Sequence, residues 1–213
     1  VVWNEDGTLN EESVMEALKY METLVKEELV APEDKTSSGM DAYKRLTGGS
    51  ASFLTGPTSF VSRSTNEEEC SVVGQIAPIL MPGKEAKSEV TMALPEGLGV
   101  TKFSENKEAA KKFVEWYTSA DMQKELNASN SAIPTRNSVL KSLVEDGTIK
   151  NAGAMMDEAE RIVSPFPNGI PAYYAEMSSA MYNAINKMAL GEMTAEEAFE
   201  DMNAKITELV EQE

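Results

Sequence analysis

Residues 71–100 read SVVGQIAPILMPGKEAKSEVTMALPEGLGV, and this stretch decides the fold class. Two apolar runs, 72–80 and 90–100, flank a polar, glycine-containing middle at 81–89. Both runs are rich in Val, Ile, Leu and Ala and are broken by Pro or Gly, which predicts short buried strands in place of helices. The sequence on either side follows a helical period. The chain is therefore expected to cross here from one packed unit to another, in an α/β protein.

Working toward the N-terminus, Asn10 is placed to cap a helix, with Glu11 and Glu12 in its first turn. Val14, Leu18, Met21, Val25 and Leu29 recur at helical spacing until Pro32 stops the run. A short helix with Met40, Tyr43 and Leu46 ends at Gly48-Gly49. Ala51-Ser52-Phe53-Leu54 reads as a short strand. Gly56-Pro57 then opens a helix over 57–63, because the N–H that proline lacks has no partner in a first turn anyway. Ligands in α/β folds favour such a strand-to-helix junction; a tight turn with no ligand is the other reading of the same residues.

Toward the C-terminus, Glu96-Gly97-Leu98-Gly99 lacks the third glycine of a dinucleotide fingerprint. Its glycine pair permits close backbone approach, to a strand or to a ligand. Asn106 is placed to cap a helix whose apolar stripe is Ala109, Ala110, Phe113, Val114 and Tyr117, and Ser119 to cap a shorter one. Ile133-Pro134-Thr135-Arg136 is extended, since residues before proline avoid the helical region. Helices are expected over 138–145, with Val139, Leu143 and Val144 inward, and through Met155, Met156, Ala159, Ile162 and Val163. The proline-rich run 164–171 excludes helix and central strand and reads as a rigid loop before Tyr173-Tyr174. Two closing helices carry Met177, Met181, Ala184, Ile185 and Met188, then Ala198, Met202, Ile206 and Leu209. Gly191 separates them, and Thr194 and Glu197 have capping-box spacing.

Composition narrows the function. Nineteen Lys and Arg stand against 36 Asp and Glu, a net charge of −17, with no basic tract. That argues against nucleic acid and against an anionic membrane surface as partners. The absence of His removes the commonest general base and metal ligand. The single Cys70, behind Glu67-Glu68-Glu69, allows no intrachain disulfide or cysteine-based zinc site and reads as an unreactive thiol at a strand start. No metal and no cofactor is expected. Met155, Met177, Met181 and Met188 read as core filler. No apolar run approaches the roughly 18 residues of a membrane span. The start Val1-Val2-Trp3 shows no basic-then-apolar leader and reads as the interior of a longer or processed chain.

Several segments, in order along nearly the whole chain, resemble the C-terminal part of extracellular solute-binding proteins of ABC importers, of the sugar-binding, maltose-binding-protein-like type. They are residues 46–57 (LTGGSASFLTGP), 74–83 (GQIAPILMPG), 96–100 (EGLGV), 104–113 with 118–123, Ile133-Pro134-Thr135-Arg136, and the proline-rich loop with Tyr173 and the helix pair broken at Gly191. The resemblance implies a type II periplasmic-binding-protein-like α/β fold, helix-rich, mostly the C-terminal lobe plus a small part of the N-terminal lobe. Residues 1–75 would begin the C-terminal lobe, 76–90 cross the hinge, 91–135 join the N-terminal lobe and 136–213 return. The export or lipoprotein signal would precede Val1, and the protein would work outside the cytoplasmic membrane. Such a protein closes two lobes round a small-molecule solute, here a sugar, and delivers it to membrane permease subunits.

The resemblance also implies ligand-binding residues. Thr58, with Ser59 beside it, follows Gly56-Pro57 where maltose-binding protein has a stacking Trp, a departure that weakens the case for a maltodextrin. Glu96, next to Gly97, stands in the cleft-facing turn, where a carboxylate accepts bonds from sugar hydroxyls or answers a cationic solute. Tyr173 and Tyr174 are candidates for a stacking platform. Against these stand a helix cap at Thr58, a solvated Glu96 and a core role for one tyrosine. Two other functions are weighed: an interaction or structural module, and a carboxylate-based hydrolase, for which no pair of acids is singled out. A partial lobe should expose apolar strand edge, which predicts self-association or a partner chain supplying the rest.

Overall fold

A computed structural model describes residues 2–83, 88, 90–93, 96–149, 153–166 and 168–212. The helices are α1 (Glu11–Lys26), α2 (Gly39–Thr47), α3 (Ser59–Arg63), α4 (Lys107–Tyr117), α5 (Ala120–Asn130), α6 (Asn137–Glu145), α7 (Gly153–Ala159), α8 (Tyr174–Ala189) and α9 (Ala195–Gln212), with a 3-10 turn at Pro32–Lys35. The chain divides into two compact units: Val1–Ser38 with Ser164–Glu213, and Gly39–Val163.

The first unit is a helix trio. Val14 and Leu18 of α1, Met177, Ala184 and Met188 of α8, and Ala198, Met202 and Ile206 of α9 close on one another. Leu18, Met202 and Ile206 are at most 1 % exposed, so each contributes about 1.5–3 kcal/mol of burial. Asn10 caps α1 through Oδ1, which accepts from Ser13 N at 3.0 Å. The capping box of α9 forms both ways: Glu197 Oε2 accepts from Thr194 N at 2.8 Å, and Thr194 Oγ1 from Glu197 N at 3.2 Å. Lys19 of α1 pairs with Glu196 of α9 at 2.9 Å.

Helix α1 stops one turn before the expected Leu29. Glu28 turns left-handed at φ 55°, and Leu29 N donates back to Leu24 O at 2.9 Å, which satisfies a terminal carbonyl and leaves the Leu29 side chain in solvent.

The second unit has a smaller core. Val139, Leu140 and Leu143 of α6, Ile149 beyond it and Met155 of α7 form it, with Val61 of α3 and Ile133 packed alongside. Ser119 Oγ caps α5 by accepting from Met122 N at 3.3 Å. At α4 the side chain of Asn106 makes no cap bond; Ser104 Oγ instead accepts from Asn106 N at 3.2 Å. The extended stretch around Pro134 is clipped to α5: Gln123 donates to Thr135 Oγ1 at 2.9 Å and accepts from Arg136 N at 3.0 Å, while Arg136 Nε donates to Thr118 O at 2.7 Å.

The buried strands expected at 72–80 and 90–100 do not form among the described residues. Residues 72–75 are a turn, and 76–80 have no regular structure, with the half-buried Ile76, Pro78 and Leu80 alternating with the exposed Ala77 and Ile79. The alternation is that of a strand, but no ladder pairs these residues with a described residue. Ala51-Ser52-Phe53-Leu54 is likewise a loop, with Phe53 84 % exposed. Cys70 is buried, as an inert thiol would be, yet it closes a turn on Asn66 O at 2.9 Å and starts no strand. Helix α7 ends at Ala159, so Ile162 and Val163 leave the expected stripe. Ile162 makes an isolated parallel bridge with Thr91, for which Thr91 N donates to Arg161 O at 2.9 Å and Val163 N to Thr91 O at 2.8 Å.

Candidate functional site

Thr58 is exposed in the turn that enters α3, and Ser59 is the half-buried first residue of that helix. The turn is held from below. Pro57 O accepts from Phe60 N and Thr58 O from Val61 N, both at 3.0 Å. Phe60 lies on Tyr43 of α2 with ring centroids 4.4 Å apart, and Val61 packs on the α6–α7 core. A Cβ at position 56 would come within 2.9 Å of the Phe60 ring, so a larger residue there would have to displace that ring. The sequence thus spends Gly56, Phe60 and Tyr43 on fixing a loop whose hydroxyls stay at the surface. Tyr43 itself is 2 % exposed, and its phenol is pushed up to about 12 by burial first, then by the charge of Glu69.

Glu96 and Gly97 are both exposed. A Cβ at Gly97 or Gly99 would meet no described atom within 4 Å. Upstream, the chain is tied at Thr91 by the bridge to Ile162 and at Ser88, whose carbonyl accepts from Arg161 Nη1.

The tyrosines belong to the other compact unit. Tyr173 is half-buried at the start of α8 and packs against the helix-trio core. Tyr174 is 44 % exposed. Phe166 meets Tyr174 edge-on at 5.9 Å and an interplanar angle of 87°, and Trp3 lies 5.6 Å beyond, so Trp3, Phe166 and Tyr174 form a run of three rings. Local bonds hold the Trp3 and Phe166 segments of the run. Trp3 is bridged to Leu9, and Asn168 Nδ2 donates to Glu5 O at 2.7 Å. Ser164 Oγ accepts from Phe166 N at 3.3 Å and donates to Phe166 O at 2.9 Å.

The structure therefore keeps the candidates as three local pairs: Thr58 with Ser59 and Glu96 with Gly97 in one unit, Tyr173 with Tyr174 in the other. Sequence reasoning missed Trp3 and Phe166. Only the placing of Phe166 between two prolines hinted that its ring is fixed. Among the described residues no three of His, Cys, Asp and Glu stand together as a metal-ligand group, and no helix is long and apolar enough to cross a membrane.

Residues 1–124 match the family model described as bacterial extracellular solute-binding protein. Among solved structures, the maltose-bound MalE3 of T. maritima matches with a TM-score of 0.83 at 22 % identity, over 98 % of this chain and 54 % of its own. The chain spans about half the length of that structure. The likeness shows the fold, that of a type II periplasmic binding protein, in a helix-rich portion.

Proposed function

The chain belongs to the bacterial extracellular solute-binding proteins, and from that premise we propose that it binds a carbohydrate for an ABC importer. The observation that carries this reading is the run Trp3–Phe166–Tyr174, three fixed rings of which Tyr174 stays open to solvent. The apolar face of a sugar ring stacks on such surfaces, while a few polar groups select among hydroxyls. Tyr174 is the contact residue in this proposal, and Tyr173 seats it on the core. Thr58 and Ser59 offer hydroxyls on a braced turn. Glu96 offers two acceptor oxygens, and Gly97 leaves the backbone beside it accessible.

In the whole protein, lobes close round the solute and the closed form passes it to the permease subunits, outside the cytoplasmic membrane. The family binds and does not transform its solutes, so no catalytic step is assigned. One observation favours a second reading: Glu96 is an exposed carboxylate at a glycine turn, which suits a cationic solute equally well.

A thermal-shift panel of mono- and oligosaccharides, amino acids and polyamines separates these. A ligand at 100 times its dissociation constant adds about 2.7 kcal/mol to stability. A shift with a sugar, lost in Tyr174→Ala, supports the carbohydrate reading. A shift with polyamines alone, lost in Glu96→Gln, replaces it with the cationic one. No shift with any solute removes both.

A further inference from the structure

We infer that Trp3 is a positioning residue for the Tyr174 ring, with Asn168 as its tether, so that the turn over residues 2–10 belongs to the solute-binding apparatus. This rests on the reading of Tyr174 as the contact residue and goes beyond it, to what aims that ring.

The start of α8 supplies little fixing of its own. Tyr173 stands at its N-cap and makes no side-chain cap bond, whereas Asn10 caps α1 and Thr194 caps α9. A first turn without a cap frays, because its N–H groups have no intrahelical partners. Tyr174 sits in that turn. The loop ahead of it, 164–171, has neither helix nor strand among its described residues, so no ladder holds Phe166. Ring contacts take over the work. Tyr174 stands edge-on to Phe166, and Phe166 lies against Trp3. Such pairs have a preferred geometry, so fixing one ring orients the next.

Trp3 is the fixed end. Its turn closes on itself: Asn4 N donates to Thr8 O at 2.9 Å and Asn10 N to Val2 O at 2.8 Å. Asp6 Oδ1 accepts from Thr8 N at 3.0 Å and from the Thr8 hydroxyl at 2.6 Å. Gly7 turns left-handed at φ 85°, and a Cβ there would lie 3.5 Å from the Tyr173 hydroxyl, so the turn passes beside the residue that precedes Tyr174. Asn168 ties the turn to the proline-rich loop by donating to Glu5 O at 2.7 Å. Trp3 also packs against the helix-trio core. All of these residues lie in one compact unit, although Trp3 and Tyr174 stand near opposite ends of the chain.

A residue that only filled space could be exchanged for an aliphatic one. A positioning ring cannot, because an aliphatic side chain keeps the burial and loses the ring–ring geometry. Trp3→Leu and Trp3→Phe therefore separate the two roles.

The test labels the full chain with 3-fluorotyrosine and reads it by 19F NMR. Loss of one resonance in Tyr174→Phe assigns Tyr174, and the exposed Tyr182 of α8 serves as the reference. Trp3→Leu should move and broaden the Tyr174 resonance and leave that of Tyr182 in place. It should weaken binding of saccharides from the same panel of mono- and oligosaccharides about tenfold, the scale of one ring–ring contact. Trp3→Phe should restore both. Asn168→Ala, at an exposed position, should move Tyr174 in the same direction by less. An unmoved Tyr174 resonance in folded Trp3→Leu would overturn the proposal, and if that variant does not fold, an unmoved resonance in Asn168→Ala would do so. Equal behaviour of Trp3→Leu and Trp3→Phe, or a moved resonance with unchanged saccharide affinity, would overturn it too. The resonance is read without any sugar. If no saccharide binds the wild-type chain, the carbohydrate reading fails, and the 19F spectrum still decides whether Trp3 aims Tyr174.

Discussion

Among the described residues, the helix trio closes on twelve buried residues, whereas the Gly39–Val163 unit has a cluster of five around α6 and α7. Apolar side chains are plentiful in both. The difference lies in what each apolar segment meets. In the trio, α1, α8 and α9 lie against one another, and each stripe has a stripe to cover. In the other unit, α4 and residues 76–80 turn apolar side chains to solvent, among them Trp116 and Ile79. Hydrophobic content alone does not make a core; the complementary surface must be present too.

Truncation inside the trio should break the comparison most sharply. Met202→Ala, at 1 % exposure within the core that the three helices build, should cost about 2–5 kcal/mol in urea unfolding. A loss under about 1 kcal/mol would show that this core can collapse round the gap. Leu143→Ala in the smaller core should cost about 2 kcal/mol, the low end of the same scale, because fewer neighbours are fixed around it. If the two units unfold separately, urea curves read by α9 and α6 probes should move independently in these two variants.

Next in size are the caps. Thr194→Ala removes the hydroxyl that accepts from Glu197 N, leaving the backbone half of the box, and should lower stability by about 1 kcal/mol, while Asn10→Ala should cost a similar amount at the other helix start. Amide exchange in the first turn of α9 would report the loss locally.

The pH response should differ between the units at both extremes. Three carboxyls of the trio unit sit below their usual range: Asp6 through the Thr8 side chain and then its backbone, Glu196 through Lys19, and Glu208 through Lys205. The other unit has Asp146, lowered by Thr148. A folded pKa below the unfolded one stabilises the protein above the ordinary carboxylate range, and this is lost as pH falls through about 4. The trio should therefore lose more stability in acid. In base the order reverses. Tyr43 is raised to about 12, so its contribution is complete below pH 10 and fades as pH climbs from 10 toward 12. Absorbance at 295 nm should show one late-titrating tyrosine, absent in Tyr43→Phe.

What the sequence disclosed follows the same division. The helices of the trio, the caps at Asn10 and Thr194 and the core roles of Met177 and Met188 were legible because period and capping are local properties. The solute-binding family was legible in the order of short segments from residue 46 to Gly191, and the match over residues 1–124 agrees with it. The strands at 72–80 and 90–100 were read from composition, yet a strand is completed by its neighbours, and no described residue supplies them. Ile162 and Val163 have helical spacing but pair with Thr91, a contact across the chain that no window of sequence contains. The Trp3–Phe166 contact was hidden for the same reason, so the aromatic run showed only its last member, Tyr174.

Saturation-transfer NMR of the chain with a panel of mono- and oligosaccharides tests the carbohydrate reading most directly, because it detects weak contacts and reports which ligand protons touch aromatic rings. The account predicts transfer to the axial C–H face of the sugar, sharply reduced in Tyr174→Ala and unchanged in Tyr182→Ala. Transfer absent with every sugar of the panel, yet present with a polyamine and dependent on Glu96, would contradict it.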